Sequence, residues 1–225
     1  HRSGSLRRKI QRQRIMIRGT QDFASSCIWQ ISDRTRRMIP ATAEKEKELI
    51  ESLRRGSPSA KRAFYEQFYR YLAAVCARYF PTDEDVKDLL QEVFIKIFNR
   101  FDSFEHRGPG SLQAWSRKVA VNEALQFLRS ARKMPVTPLD ETAVLPDPDE
   151  RPDIAEIPQQ ALLEMVRRLP ERYRTVFNLY VFEDKSHQEI AQLMHIQPGT
   201  SASNLHRAKA LLCGWIRDYR KQHER

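Results

Sequence analysis

The spacing of apolar positions turns helical at Lys45 and stays so for some ninety residues. Leu49, Ile50 and Leu53 predict a short first helix that Gly56 can end, after which Ser57 and Pro58 read as cap and first position of the next. That second helix carries Phe64, Phe68, Tyr71, Leu72, Val75 and Tyr79 at three- and four-residue spacing, and Pro81 closes it. Such a thick aromatic stripe predicts hydrophobic core. Thr82 opens a third helix with Asp83, Glu84 and Asp85 in its first turn, where the helix dipole favours negative charge. Its apolar stripe is Val86, Leu89, Leu90, Val93, Phe94, Ile97 and Phe98; the other face holds Asp88, Gln91, Glu92, Lys96 and Asn99, residues whose default reading is a solvated surface.

Between Phe101 and Gly110 the pattern breaks into a loop with a Gly-Pro-Gly turn, and Ser111 restarts a helix. Val119, Ala120, Ala124, Phe127 and Leu128 serve its core, while Trp115, Arg117, Lys118, Asn122, Arg129, Arg132 and Lys133 set an aromatic and a polar side chain among cations. Unpaired nucleic acid suits that mixture, because bases stack on rings while the backbone follows positive charge. A core Trp115 with solvated cations fits it equally.

Residues 134 to 158 contain six prolines and seven acids without periodicity and predict an extended linker. Fully extended, its 25 residues reach roughly 80 Å at about 3.3 Å each; as a flexible coil they average about 30 Å. Beyond it, Leu162, Leu163, Val166 and Leu169 predict a short helix, and Pro170 opens another through Tyr173, Val176, Phe177 and Tyr180. These two pack a helix-turn-helix from Ser186 to Leu212. Ser186 and Glu189 form a capping box before Ile190, Ala191, Leu193 and Met194. His195 stands where the turn needs left-handed backbone, and Pro198 opens the second helix, whose Leu205, Ala208, Leu212 and Trp215 share one face. Thr200, Ser203, Asn204, Arg207 and Lys209 are assigned to the opposite face, small polar groups first and cations later, as a recognition helix needs. The fold class expected is all-α, with two small helical domains joined by an acidic, proline-rich linker and a helix-turn-helix in the second.

Charge sharpens the division. The formal net charge is +10, yet residues 1 to 37 alone hold 10 Lys and Arg against 2 acids, leaving 29 basic against 27 acidic residues in the rest. The basic tail, taken as residues 1–40, has no periodic pattern; a transit peptide, a nucleic-acid arm or sequence upstream of the fold are its three readings, and the third is favoured. Cys27, Cys76 and Cys213 are widely spaced and odd in number, and His187, His195 and His206 are scattered along the helix pattern, so neither a disulfide framework nor a metal site is expected. A reducing, cytoplasmic setting fits this cysteine usage. No apolar run approaches a membrane span. The cluster Asp83, Glu84, Asp85 and Asp88 raises the question of a nuclease, but helix capping accounts for three of its members and no base or nucleophile accompanies it, so no catalytic residue and no cofactor is expected.

Four segments in one order carry a family likeness: DLLQEVFIKIF from Asp88, WSRKVAVNEALQFLR from Trp115, the acidic linker, and LPERYRTVFNLYVFEDKSHQEIAQLM followed by GTSASNLHRAKALL. Over roughly residues 45 to 218 the chain resembles the extracytoplasmic-function sigma factors of bacterial RNA polymerase. The resemblance implies a region 2 domain at 41–134, a linker at 135–158 and a region 4 domain at 159–225. It implies that core RNA polymerase is the partner, through its β′ and β subunits, with Asp88, Gln91 and Glu92 docking on the β′ coiled coil. Phe101, Phe104, His106, Trp115, Arg117, Asn122, Arg129 and Arg132 are then implied to recognise and open the minus-ten element by capturing an unpaired base. Thr200, Ser201, Ser203, Asn204, Arg207 and Lys209 are implied to meet the minus-thirty-five element. An anti-sigma factor is a further implied partner, and the linker is implied to thread toward the RNA exit path.

The chain departs from the family pattern in three places. Ser201, Ala202, Ser203 and Asn204 replace a Val-Lys-Ser-Arg run, Gln126 stands where Asp is frequent, and Ser116 where Leu is frequent. Asn204 is then expected to bind adenine bidentately. The competing expectation is a helix-turn-helix regulator that works without being a polymerase subunit.

Overall fold

A computed structural model describes residues 43–130 and 157–223. The basic tail, nearly all of the linker, Cys27, Arg132 and Lys133 lie outside the described residues. Within them the chain is all-helical, with eight α-helices, one 3-10 turn and no strand.

Helices α1 (Ala43–Arg54), α2 (Pro58–Cys76), α3 (Asp83–Asn99) and α4 (Ser111–Ser130) form a first block, and α5 (Gln159–Arg168), α6 (Glu171–Val181), α7 (His187–Met194) and α8 (Pro198–His223) a second. The starts and stops follow local chemistry. Gly56 leaves α1 at φ 73°, and the Ser57 hydroxyl accepts from the Ala60 N–H at 3.4 Å with Pro58 in the first turn of α2. Thr82 caps α3 by accepting from the Asp85 N–H at 3.2 Å. The Ser186–Glu189 capping box is fully formed, His195 sits at φ 54°, ψ 47°, and Pro198 opens α8. That last helix continues to His223, well past the recognition segment.

The expected stripes are the core. Phe64, Phe68, Tyr71, Leu72, Val75 and Tyr79 of the second helical run are all buried, as are Val86, Leu89, Leu90, Val93, Phe94 and Ile97 of α3, with Phe98 half-buried. On α5, Leu163 is half-buried while Leu162, Val166 and the following Leu169 are buried. Lys96, expected on a solvated face, instead pairs with the buried Glu123 of α4 and donates to Gln126 Oε1 at 3.3 Å. A carboxylate buried in α4 needs that cation, so the charged pair ties α3 to α4.

The buried residues run as one cluster from Ile50 in α1 to Ile216 in α8. Polar groups bridge the blocks as well. Three successive carbonyls beyond the end of α2 are each met by a donor from the second block: Asn178 Nδ2 to Arg78 O at 2.6 Å, Arg174 Nε to Tyr79 O at 2.9 Å, and Arg167 Nε to Phe80 O at 3.2 Å. Arg167 also pairs with Asp83 at 2.6 Å. Cys76 and Cys213 are buried, and burial pushes the Cys76 thiol up to about 12, which makes it inert.

Candidate nucleic-acid interface

Three surfaces hold the residues singled out by sequence. On α3, Asp88, Gln91 and Glu92 are all exposed, and their spacing of three and four sets them on one side of the helix. Ile95, 51% exposed, continues that side one turn further, and among the described residues Tyr65 and Tyr69 of α2 are the other large apolar side chains left in the open. The Tyr65 ring lies 4.7 Å from Phe94, which anchors it to α3. Sequence reasoning passed over Ile95, although an isoleucine among Gln91, Glu92 and Asn99 breaks the polar pattern of that face.

The second surface is the loop before α4 and the helix itself. Here the structure corrects the expected roles of Phe101 and Phe104, which are only 4% and 2% exposed. Their rings pack on the half-buried Trp115 with centroids 5.9 and 5.3 Å away, so no base can stack on either phenylalanine in this arrangement. They build the floor of the loop. His106 is half-buried, while Lys118, Asn122 and Arg129 are exposed along α4. Arg117 is not among the exposed cations: it pairs with Glu183 of the second block at 3.0 Å and donates to the Phe182 carbonyl.

What holds this loop was invisible to pattern reading. Glu46 of α1, 5% exposed, accepts the Gly110 N–H at 2.7 Å and the Leu112 N–H at 3.0 Å, so one carboxylate stands at the N-terminus of α4. Arg54 of the same helix donates to the Phe104 carbonyl at 3.0 Å. Helix α1 therefore fixes both ends of the turn that leads into α4.

The third surface is α8, where two further corrections arise. Ser201 is fully buried and hydrogen-bonded to His187 Nδ1 at 2.9 Å, and Asn204 is 8% exposed, so both face the helix-turn-helix interior and neither presents itself to a base edge. Thr200, Ala202, Ser203 and His206 are exposed, with Arg207 and Lys209 half-buried. Arg207 Nη1 donates to the Tyr173 hydroxyl at 3.1 Å, which steadies it on α6. His206, weighed by sequence only as a metal ligand, lies three residues beyond Ser203 and shares its face.

The electrostatics of the motif carry a pH dependence. The Lys185 ammonium and the Ser186 N–H hold the Glu189 carboxyl down at about 2, while burial and the Lys209 charge press the His187 imidazole below its usual value. Both shifts are depressions, so their stabilisation is complete above the unfolded values of 6.5 and 4.5 and drains away as pH falls below each. The melting temperature is expected to drop on acidification below about pH 6.5, through His187, and further below about pH 4.5, in part through Glu189. His187→Gln should remove the upper step, and a wild-type melting temperature that stays flat from neutrality to pH 5 would contradict it.

Among the described residues no group of His, Cys, Asp and Glu could hold a metal ion, and no helix is long and apolar enough to cross a membrane. Comparison with known proteins agrees with the order of surfaces. Sigma-70 region 2 matches residues 64–134 and sigma-70 region 4 matches residues 159–212, together more than half of the chain. The chain belongs to the extracytoplasmic-function sigma factors of the sigma-70 family. It is 28% identical to the ECF RNA polymerase sigma-E factor of Escherichia coli strain K12 over 172 residues, 72% of this chain and 88% of that protein. It is 27% identical to the RNA polymerase sigma-H factor of Pseudomonas aeruginosa over 179 residues, 75% of this chain and 92% of the relative. As a sigma factor it is a non-catalytic initiation protein that directs core RNA polymerase to promoter DNA.

Proposed function

We propose that this sigma factor docks on the β′ coiled coil through α3, opens the minus-ten element along α4 and its preceding loop, and anchors the minus-thirty-five element with α8. The observation that carries the reading is the pair of exposed polar faces on α3 and α8 in one chain, the first acidic and the second led by small polar groups. Asp88, Gln91 and Glu92 would meet basic groups of the polymerase, with Ile95 supplying an apolar contact beside them. Lys118, Asn122 and Arg129 would follow the unpaired strand. A flipped base costs a few kcal/mol to unstack, and binding returns roughly 1 to 3 kcal/mol per base, so capture alone can drive opening. Since Phe101 and Phe104 are floor, the half-buried His106 and Trp115 are the ring-bearing side chains of this surface left to line a base pocket.

On α8, Thr200, Ser203 and His206 would face base edges, with Arg207 and Lys209 toward phosphate. The charge outside the first 37 residues is close to balanced, so the polymerase supplies most of the affinity and the recognition helix mainly supplies position. An anti-sigma factor would compete for the α3 face or hold the two blocks together, in the cytoplasm where the polymerase works.

Run-off transcription with bacterial core polymerase on a genomic promoter library tests the reading. Specific start sites are expected with core enzyme and this chain together; no start sites, or tight operator binding by the chain alone, would overturn it. Reversing charge at Asp88→Lys with Glu92→Lys should lower specific transcription at least tenfold, because like charges set against each other across an interface cost several kcal/mol. Exposed helix substitutions shift stability by only about 0.5 kcal/mol, so the melting temperature should hold while core binding fails.

A further inference from the structure

With Ser201 and Asn204 turned into the interior, the groups that α8 sets before a DNA duplex differ from those its sequence suggests. Gly199, Ala202, Ser203 and His206 recur at spacings of three and four and are all exposed, so they share the outer side of the helix. Thr200 is exposed beside them. A Cβ added at Gly199 would meet nothing within 4 Å, so this side is open as well as lined by small groups, and the helix can lie close to the base edges of a major groove. Gln197, the exposed residue before Pro198, stands at its entrance. Its carbonyl accepts the Ser201 N–H at 3.1 Å, which fixes its backbone to the first turn of α8.

These groups choose among base edges by what they offer. Guanine presents two acceptors, N7 and O6, and its strongest partner is a two-point grip by Arg or Lys. The first Lys or Arg of α8 is Arg207, whose Nη1 is engaged with the Tyr173 hydroxyl. His206 has a single ring nitrogen to place on an edge rather than a fork. The Ser203 hydroxyl donates to the Thr200 carbonyl at 3.1 Å, so toward DNA its oxygen is an acceptor and needs a base donor, adenine N6 or cytosine N4. Ala202 ends in a methyl group, whose partner in the groove is the thymine C5 methyl. Gln197 brings an exposed amide, which pairs with adenine through N6 and N7 together.

We propose that α8 reads the minus-thirty-five element as A·T pairs. Gln197 grips an adenine, Ala202 packs on a thymine methyl, Ser203 accepts from an adenine N6, and no guanine receives a two-point contact. Adenine recognition, expected of Asn204, passes to Gln197 because Asn204 is buried. The inference rests on the reading of α8 as the minus-thirty-five helix and adds which bases it selects.

The test uses the full chain with core polymerase on a promoter recovered from the run-off library, with single bases replaced in its minus-thirty-five element. Uracil in place of thymine removes only the C5 methyl, and 7-deazaadenine and 7-deazaguanine remove only N7. At limiting sigma factor, uracil should lower initiation about fourfold at one thymine, the equivalent of burying one methyl group. The 7-deazaadenine should lower it about fivefold at one adenine, whereas 7-deazaguanine should change it less than about twofold at every guanine. Ala202→Gly should abolish the uracil effect and Gln197→Ala the 7-deazaadenine effect, each leaving the other intact. Should the glycine variant fail to fold, the uracil scan of the wild type still decides the methyl contact. Initiation indifferent to uracil and 7-deazaadenine, or lowered more by 7-deazaguanine than by either, would overturn the inference while the sigma reading stands. Sensitivity that survives in the variants would overturn the roles of Ala202 and Gln197. No specific initiation from the unmodified promoter would instead overturn the reading of α8 on which the inference rests.

Discussion

Replacing Arg174 with methionine should lower the unfolding free energy by about 3 to 5 kcal/mol, the range seen when one member of a buried charged arrangement is removed. Arg174 is 5% exposed, yet its guanidinium serves three carbonyls: Tyr79 O at 2.9 Å, Arg167 O at 2.6 Å and Leu169 O at 3.1 Å. The first lies in the opposite block and the other two at the end of α5, so one planar fork joins the close of one helix to the exit of another. Burial pulls its pKa down, but the neighbouring Glu171 opposes the shift, and a guanidinium stays charged at any working pH. Methionine keeps much of the volume and removes only the donors, leaving acceptors that cost about 1 to 3 kcal/mol each when orphaned and that do not simply add. Lysine retains the charge without the fork and should fall between the two. Urea titration of the full chain measures the effect; a loss under about 1 kcal/mol would mean that water replaces the guanidinium freely at Tyr79 and Leu169.

The groups that matter most in that prediction are ones that sequence patterns hide. Helix limits were legible because their causes are local: Ser57 with Pro58, Thr82 ahead of three acids, the Ser186–Glu189 box and His195 in the left-handed region all act within four residues of the helix end they define. Arg174 reaches a carbonyl 95 positions away, and Lys96 reaches a carboxylate 27 positions away. A polar residue in a helix reads as solvated by default, so such long-range satisfaction leaves no periodic trace. The errors on α8 have a different origin. Counting back four residues from Leu205 along the Leu205, Ala208, Leu212 stripe lands on Ser201, and the adjacent Asn204 joins that side, so their burial follows from helical phase. Residue type outweighed phase in assigning them to DNA, and the same preference passed over His206. Phe101 and Phe104 misled because aromatics in a loop beside cations match a stacking surface, whereas a loop entering a helix also needs a floor.

Glu46→Ala should cost about 1 to 3 kcal/mol of stability, since it orphans the Gly110 and Leu112 N–H groups at a helix N-terminus where an anion is also favoured by the dipole. Alanine is the best helix former, so α1 itself should not suffer and the loss belongs to the junction it holds. Glutamine keeps one acceptor but not the charge, and should recover part of the loss. The consequence for promoter opening follows from geometry. With its carboxylate gone, the Phe101–Gly110 loop keeps the Arg54 tether to Phe104 but loses its hold at Gly110, and the proposed base pocket next to Trp115 loses that edge. Transcription from a duplex promoter should then fall at least tenfold below saturation of polymerase by the variant, while a template already unpaired across the minus-ten element should recover most of it. Stability alone cannot produce that split, because an unfolded sigma factor fails on both templates alike. Equal losses on duplex and pre-opened DNA would therefore reduce Glu46 to a structural tie between α1 and α4, and unequal losses make it a positioning residue for strand capture.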